Sequence, residues 1–410
     1  MGDVPSTPGE SSVVGSEPVL AVGDSQAVAA EPAGASVTHT MWLARVGAAV
    51  NPAPEVSIVI PVLRRLDLLQ HCLNSISQLA VPPTFETIVV ANGTLPEAVA
   101  ELSRRDDIVL VASSINLGFA GGCNWGARFA RGRLLVLLND DTEVDAGWLA
   151  ALTAAAVGND DIGAVGSRIA GFDGRLQEAG SVLWRDGGTS PVGAGLPEET
   201  SLYRSVRPVD YCSGCGLLVR LSDWRALGGL DEAYYPAYHE DVDLCLALRK
   251  AGLRILYAPE ARLRHHRGAS ADAIPLRTFA AVRNGERFRA KWAATLVEYD
   301  PAPRRKQEAE AIDLAVRGAM ERRVAPRRPQ GAPPEFVSPT DVEALEAQVR
   351  ALHSESRLKD AFIAHLQEQA RRRRQPQATL ELLRPLARRV RRIVRLALRR
   401  AGHPAGSPPA

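Results

Sequence analysis

Unbroken apolar runs, not alternating ones, mark the chain after residue 55. Val56-Ser57-Ile58-Val59-Ile60-Pro61-Val62 and the runs over 87–91, 108–112 and 134–138 are short, rich in β-branched residues and bounded by turn residues. That pattern predicts strands buried on both faces of a largely parallel sheet. Between them the period changes. Leu66, Leu69, Leu73 and Ile76 recur at helical spacing and stop at Pro82-Pro83, a helix is expected from Pro96 to about Ser103, and another follows the glycine segment 116–126 as far as Ala130. Strand and helix in alternation are the signature of a doubly wound nucleotide-binding half.

The run 134–138 ends abruptly in Asn139-Asp140-Asp141-Thr142-Glu143. Ligands of open α/β sheets lie outside the carboxyl ends of strands, so these carboxylates stand where a ligand would lie and a hard cation could be held. A solvated acidic turn capping the helix expected near Ala146 is the competing reading. From 161 to 219, shorter β-like pieces (162–165, 181–184, 215–219) between Gly-rich loops predict a mixed sheet extending the first half. After Gly228-Gly229-Leu230-Asp231-Glu232 and Tyr234-Tyr235-Pro236, a helix is expected whose first turn holds Glu240, Asp241 and Asp243. Acids there complement the helix dipole, which is a structural account; three of them beside His239, just after an aromatic loop, support a chemical one. A strand over 254–257 leads to His265-His266 in a Gly/Ser loop, where an imidazole ligand could be supplied.

Composition and charge add the boundaries. With 410 residues, 46% of them hydrophobic, the chain can build one large core or two smaller ones and still carry tails. The net charge of +2 hides an asymmetry: residues 1–55 carry six acids against Arg45, and residues 371–401 carry twelve arginines against Glu381. We expect a disordered leader over 1–53, in which only 41–50 could form a short helix, then a folded α/β domain over 54–300 that divides at 145/146. A linker over 301–340 would follow. Residues 341–370 suit either a short coiled coil or an amphipathic helix folded back on the domain. Residues 371–402 read as a basic amphipathic helix lying in an anionic membrane surface; nucleic-acid binding is the runner-up for that arginine run. No apolar run approaches bilayer length and no signal pattern opens the chain, so a cytoplasmic protein is expected. The five cysteines, Cys72, Cys123, Cys212, Cys215 and Cys245, argue for reduced thiols; Cys212 and Cys215 have redox or zinc spacing but no second such pair. Gly118, Gly121, Gly122 and Gly126 do not form GxGxxG, which disfavours a dinucleotide cofactor and leaves a Gly-rich loop near a sugar nucleotide.

Taken in order, VSIVIPV, ETIVVANGT, NLGFAGGCNWG, LLVLLNDDTEV, GGLDEAYYPAYHEDVDLCLALRKAG and LRHHRGAS resemble the inverting glycosyltransferase family 2, and within it the rhamnosyltransferase-like branch that builds cell-surface polysaccharides. The resemblance spans residues 56–292. It implies an α/β GT-A fold, a mixed, mostly parallel sheet flanked by helices, here with a C-terminal helical extension. It implies a nucleotide-sugar donor, contacted by Pro61, Asn92, Asn116, Gly118, Gly121 and Asp140, and a Mg²⁺ or Mn²⁺ ion on Asp141 with His265 or His266 completing its shell. It also places the catalytic base in Glu240-Asp241, with Asp241 preferred. The implied reaction moves a sugar, with rhamnose favoured, to a hydroxyl of a polyprenyl-linked or other glycan at the inner face of the membrane; a homo-oligomer is among the expected assemblies. A catalytically silent scaffold bound to the membrane through the basic tail is the alternative. Ala91 stands where the family usually carries an Asp that recognises the base, and Cys123 where Asn is common.

Overall fold

The computed structural model describes residues 42–47, 49–51, 53–80, 82–158, 160–200, 203–266, 274–303, 308–321 and 341–372. The elements are β1 (Trp42–Val46), β2 (Val56–Val62), α1 (Leu66–Ile76), β3 (Phe85–Asn92), α2 (Pro96–Leu102), β4 (Val109–Ser113), α3 (Gly118–Ala127), β5 (Leu134–Leu138), β6 (Thr142–Val144) and α4 (Trp148–Ala156). There follow β7 (Ile162–Ala170), β8 (Leu176–Ala179), β9 (Ser181–Leu183), β10 (Thr189–Pro191), β11 (Arg207–Val209), β12 (Gly216–Arg220), α5 (Leu221–Leu227), α6 (Glu240–Lys250), β13 (Arg254–His265), α7 (Ile274–Leu296), α8 (Glu308–Glu321) and α9 (Asp341–Arg372).

The apolar runs become central strands. β2, β4 and β5 are buried at every position, as expected of strands covered on both faces. The main sheet runs β1-β4-β3-β2-β5-β12-β7-β13-β11. β4, β3, β2 and β5 are parallel, β12 is antiparallel to both β5 and β7, and β13 returns parallel to β7. The chain thus winds from β2 outward through β3 to β4, then crosses back to place β5 on the other side of β2. That reversal opens a crevice beyond the carboxyl ends of β2 and β5. The entry to β5 is held by a buried pair: Glu86 Oε2 accepts from Arg131 Nη2 at 2.6 Å, while its Oε1 accepts from Ser57 Oγ at 2.6 Å and from the Arg131 amide at 2.8 Å.

Several expectations need correction. Residues 42–46, within the segment expected to be leader or short helix, form β1, antiparallel on β4 from Trp42↔Ser113 to Val46↔Val109. The free backbone groups along the edge of β4 outweigh the local helical pattern. Residues 1–41 of the expected leader lie outside the described residues. The glycine segment is not a loop before a helix but the helix α3 itself. A Cβ on Gly126 would stand 2.6 Å from Val59 Cγ1 and 2.7 Å from Val90 Cγ2, so its glycines bring α3 close against β2 and β3. The expected linker contains α8, whose Ala311, Ile312, Ala315, Val316 and Ala319 fall at helical spacing; Ala315 and Ala319 are buried, and the helix packs on β9 and β11. Of the two readings of residues 341–370, the fold-back is the one observed. α9 buries Ala347, Ala351 and Leu358, and it pairs Glu343 with Arg128 and Arg350 with Glu232. The expected basic helix beyond it lies, from residue 373, outside the described residues. All five cysteines are buried and free.

Candidate active site

The acidic loop sits at the crevice where β5 ends. Asn139 is fixed through its backbone: its amide donates to the Cys215 carbonyl at 3.2 Å and its carbonyl accepts from Thr142 Oγ1 at 2.7 Å. This anchors Asp140 and Asp141 at the sheet edge. Burial, reinforced by Asp141, pushes the Asp140 pKa up to about 7, while His265 and Arg65 pull it back. Arg65, at the mouth of β2, feels the field of both aspartates although its hydrogen bond goes to Asp67.

β6 follows at once and pairs with the far end of β13, His265 opposite Thr142. The pairing carries His265 to Asp141, with Nε2 3.1 Å from Oδ1. The other ring nitrogen, Nδ1, lies 2.9 Å from Gln177 Oε1, and Gln177 Nε2 donates to the His265 carbonyl at 2.8 Å. Gln177 therefore fixes the ring and presents Nε2 to the carboxylate, as an outer partner does for a metal-binding imidazole. Burial disfavours the imidazolium, but Cys215 and Asp141 outweigh it and raise the His265 pKa. His266 takes another course, stacking on Phe172 at 3.8 Å between ring centroids with Nε2 3.9 Å from Glu143.

The second acidic cluster separates into three environments. Asp241, at the start of α6, accepts from the Gly214 amide at 3.0 Å and the Val242 amide at 2.8 Å. Burial raises its pKa against those two bonds. The 213–215 loop thus joins the two acidic centres, since Cys215 holds Asn139 while Gly214 holds Asp241. Glu240 is 5% exposed, its Oε2 has no hydrogen-bond partner, and burial followed by Asp241 raises its pKa well above the ordinary range. Asp243 is structural: Oδ1 accepts from Tyr234 Oη at 2.9 Å and Trp292 Nε1 at 2.7 Å, and Oδ2 accepts from Lys291 Nζ at 2.8 Å.

Before α6 the chain is strained, with φ at +83° for Tyr238 and +77° for His239. Each such residue costs about 1–3 kcal/mol and persists only where its surroundings over-determine it. Here Asn284 of α7, fully buried, donates from Nδ2 to the carbonyls of Tyr234 at 2.6 Å, Ala237 at 2.8 Å and Tyr238 at 3.3 Å.

The expected donor-side residues gather at the adjoining strand ends. Asn92 spends its side chain on the start of α3, with Nδ2 donating to the Gly118 carbonyl at 2.9 Å and Oδ1 accepting from the Leu117 amide at 2.7 Å. Asn116 Oδ1 accepts from the Gly118 amide at 2.8 Å, and Gly118 turns with φ +76° beneath Tyr235. Pro61 is buried at the end of β2 against Gly122, and Gly121 faces Leu117 and Glu232. Gln177, Gly214 and Asn284 did not emerge from the sequence, where no local pattern marks them.

One carboxylate and one oriented imidazole suit a divalent ion that takes its remaining ligands from water and substrate phosphates. Among the described residues no group of three or more His, Cys, Asp or Glu stands ready to enclose a metal, so such an ion would rest on a two-residue protein set.

The fold and this cleft define a GT-A glycosyltransferase architecture. Residues 57–207 match the family model described as glycosyl transferase family 2. Residues 57–207 thus form a glycosyl transferase family 2 domain, and several of the proteins this chain is similar to are named as rhamnosyltransferases. The chain is 35% identical over 245 residues to the O-antigen biosynthesis protein RfbC of Myxococcus xanthus, covering 56% of this chain and 19% of that protein. It is 35% identical over 158 residues to the N-acetylglucosaminyl-diphospho-decaprenol L-rhamnosyltransferase of Mycobacterium tuberculosis (strain CDC 1551 / Oshkosh), covering 36% of this chain and 51% of that one. The matches therefore span about a fifth and about half of these relatives' lengths. In fold it resembles GalNAc-T7, solved with UDP, GalNAc and Mn²⁺, with a TM-score of 0.50 at 16% identity over 62% of this chain and 52% of that one.

Proposed function

We propose that the chain is a metal-dependent inverting glycosyltransferase that moves a hexose, with rhamnose favoured, from a nucleotide-diphosphate donor to a hydroxyl of a lipid-linked surface glycan. The observation that carries this reading is the meeting of Asp141 with the oriented His265 at one end of the 213–215 loop and the anchoring of Asp241 at the other. Asp141 and His265 would hold Mg²⁺ or Mn²⁺, which neutralises the charge growing on the leaving diphosphate. Asp140, at the same edge, lies beside the donor. Asp241 takes the proton from the acceptor hydroxyl as that oxygen attacks the anomeric carbon opposite the diphosphate, so the stereocentre inverts in one displacement. Its raised pKa makes it a stronger base than an ordinary aspartate, and its two amide contacts hold the carboxylate in place while leaving lone pairs for the acceptor. Glu240, buried and favouring its protonated form, gives Asp241 a neighbour without a competing charge.

Relatives named as rhamnosyltransferases, one of them acting on a diphospho-decaprenol, support the donor and acceptor classes. No described helix is long and apolar enough to cross a membrane; the arginine-rich segment after residue 370 is our proposed contact with the inner membrane face. The test is nucleotide release from a panel of sugar nucleotides with Mn²⁺ or Mg²⁺, with and without chelator. Asp141→Ala should abolish metal-dependent release. Asp241→Asn should lower turnover about 10²–10⁴-fold with donor binding retained. Donor turnover that persists in chelator, or in Asp141→Ala, would refute the metal assignment.

A further inference from the structure

Beside the segment that leads into α6, helices α7 and α9 enclose a cavity of about 240 Å³ lined by Ala233, Arg283, Arg287, Ser354, Arg357 and Ala361. Three guanidinium groups meet there. Arg283 donates from Nη2 to the Tyr235 carbonyl at 2.6 Å, Arg287 from Nη1 to the Ala233 carbonyl, and Arg357 from Nη2 to Ser354 Oγ at 3.1 Å. Arg283 also donates to Asn284 Oδ1, from Nε at 3.3 Å and Nη2 at 3.0 Å, which uses three of its five N–H donors, whereas Arg287 and Arg357 each keep most of theirs. Among the described residues none of the three pairs with a carboxylate: nearby Glu232 is taken by Arg350 and Glu355 by Lys359. The crowding is felt, since burial and then the charges of Arg287 and Arg357 lower the Arg283 pKa.

Like charges gathered around one cavity are costly unless an anion joins them, and guanidinium forks match phosphate oxygens in both charge and geometry. The volume equals that of about eight water molecules at ~30 Å³ each, which admits a phosphate or diphosphate. Arg287 and Arg357 are exposed, so the cavity can be reached from solvent. Its position gives the ligand a role. The cavity wall at Ala233 and the Arg283 contact at the Tyr235 carbonyl belong to the segment that continues to Asp241, and the Tyr235 ring packs over Gly118.

We propose that this arginine pocket is a diphosphate subsite, distinct from the donor position at Asp141, that takes the diphosphate of a diphosphate-linked acceptor. The assignment to the acceptor rests on the glycosyltransferase reading above; the affinity for diphosphate does not.

The test uses the full chain in chelator, titrated calorimetrically with inorganic pyrophosphate. Arg357→Gln, whose contact among the described residues is Ser354, should weaken binding about tenfold or more, and Arg287→Gln/Arg357→Gln further still. Arg104→Gln, an exposed arginine at the end of α2, and Asp141→Asn should leave the affinity within twofold. Unchanged affinity in a double variant that keeps its circular dichroism would overturn the subsite, as would an equal loss in Asp141→Asn. Two further arms separate the sources of phosphate. A loss for an isoprenyl diphosphate, with binding to phosphatidylglycerol vesicles unaltered, supports the acceptor; a loss confined to vesicles overturns that assignment in favour of a lipid headgroup. Sugar-nucleotide binding with Mn²⁺ should be unaffected by the double variant, and its loss would reassign the pocket to the donor. If no sugar nucleotide binds the unaltered protein, the glycosyltransferase reading falls while the pyrophosphate result stands on its own.

Discussion

Asp243→Ala tests whether α6 is pinned as the geometry requires. The carboxylate is 4% exposed and receives three donors: Tyr234 Oη, Trp292 Nε1 and Lys291 Nζ. Removing it leaves the Tyr234 hydroxyl and the Trp292 indole N–H buried without an acceptor, at about 1–3 kcal/mol each. Lys291, whose side chain is 41% exposed, can turn to water and to Asp231, so its share is under about 1 kcal/mol. The expected loss is roughly 2–7 kcal/mol. Asp243→Asn preserves the shape and one acceptor oxygen but turns an amide towards Lys291 or an indole, so about 1–3 kcal/mol is expected. Urea unfolding followed by tryptophan fluorescence reads both, provided the slope with denaturant is unchanged. Because the same joint orients Asp241, Asp243→Asn should lower kcat more than it raises KM. If Asp243→Ala unfolds within 1 kcal/mol of the parent, the three contacts do not hold the helix and the account of how Asp241 is positioned fails.

Gly126→Ala would ordinarily stabilise a helix by up to ~1 kcal/mol, but its methyl would meet Val59 and Val90 at 2.6 and 2.7 Å; a net loss of about 1–3 kcal/mol in the same unfolding assay is expected, and a gain would refute the close packing of α3. Glu240 keeps its proton in the folded chain at pH values where the unfolded chain releases it. From about pH 4.3, the ordinary glutamate value, up to the raised folded pKa, stability therefore falls by about 1.4 kcal/mol per pH unit on its account; Glu240→Gln should remove that slope, and an unchanged slope would refute the neutral assignment. Gln177→Ala releases the His265 ring, and Mn²⁺ affinity measured by paramagnetic resonance titration should weaken about 10–100-fold with folding intact.

What the sequence revealed, and what it did not, follows from the range of the forces involved. Doubly buried strands declare themselves because every residue must be apolar, and so β2, β4 and β5 could be placed within a residue or so. The glycine segment was ambiguous because the same absence of a side chain serves a loop near a ligand or a helix against a sheet; only the distances from Gly126 to Val59 and Val90 decide. β1 could not be anticipated, since its pairing depends on an edge of β4 about seventy residues away. The acids of α6 were legible as a cluster but not as individuals. Asp243 differs from Asp241 through Tyr234, Trp292 and Lys291, which lie 9, 49 and 48 positions away.

The same reasoning explains why the candidate centre is assembled from distant pieces. Asp141 stands at the end of a parallel strand, His265 arrives by the antiparallel pairing of β6 with β13, and Gln177, 88 positions before His265, comes from β8 at the border of β7. Each is brought in by backbone pairing that a one-residue slip would ruin, because such a slip would turn His265 to the other face of the sheet. Asp241 is reached by a different route: a helix held from outside by α7, across a strained approach that Asn284 stabilises. The sheet thus fixes one half of the chemistry rigidly, while α7 carries the other. The arginine pocket lies between α7 and α9, so an anion drawn there would act on the acceptor-side half and leave Asp141 and His265 where the sheet holds them.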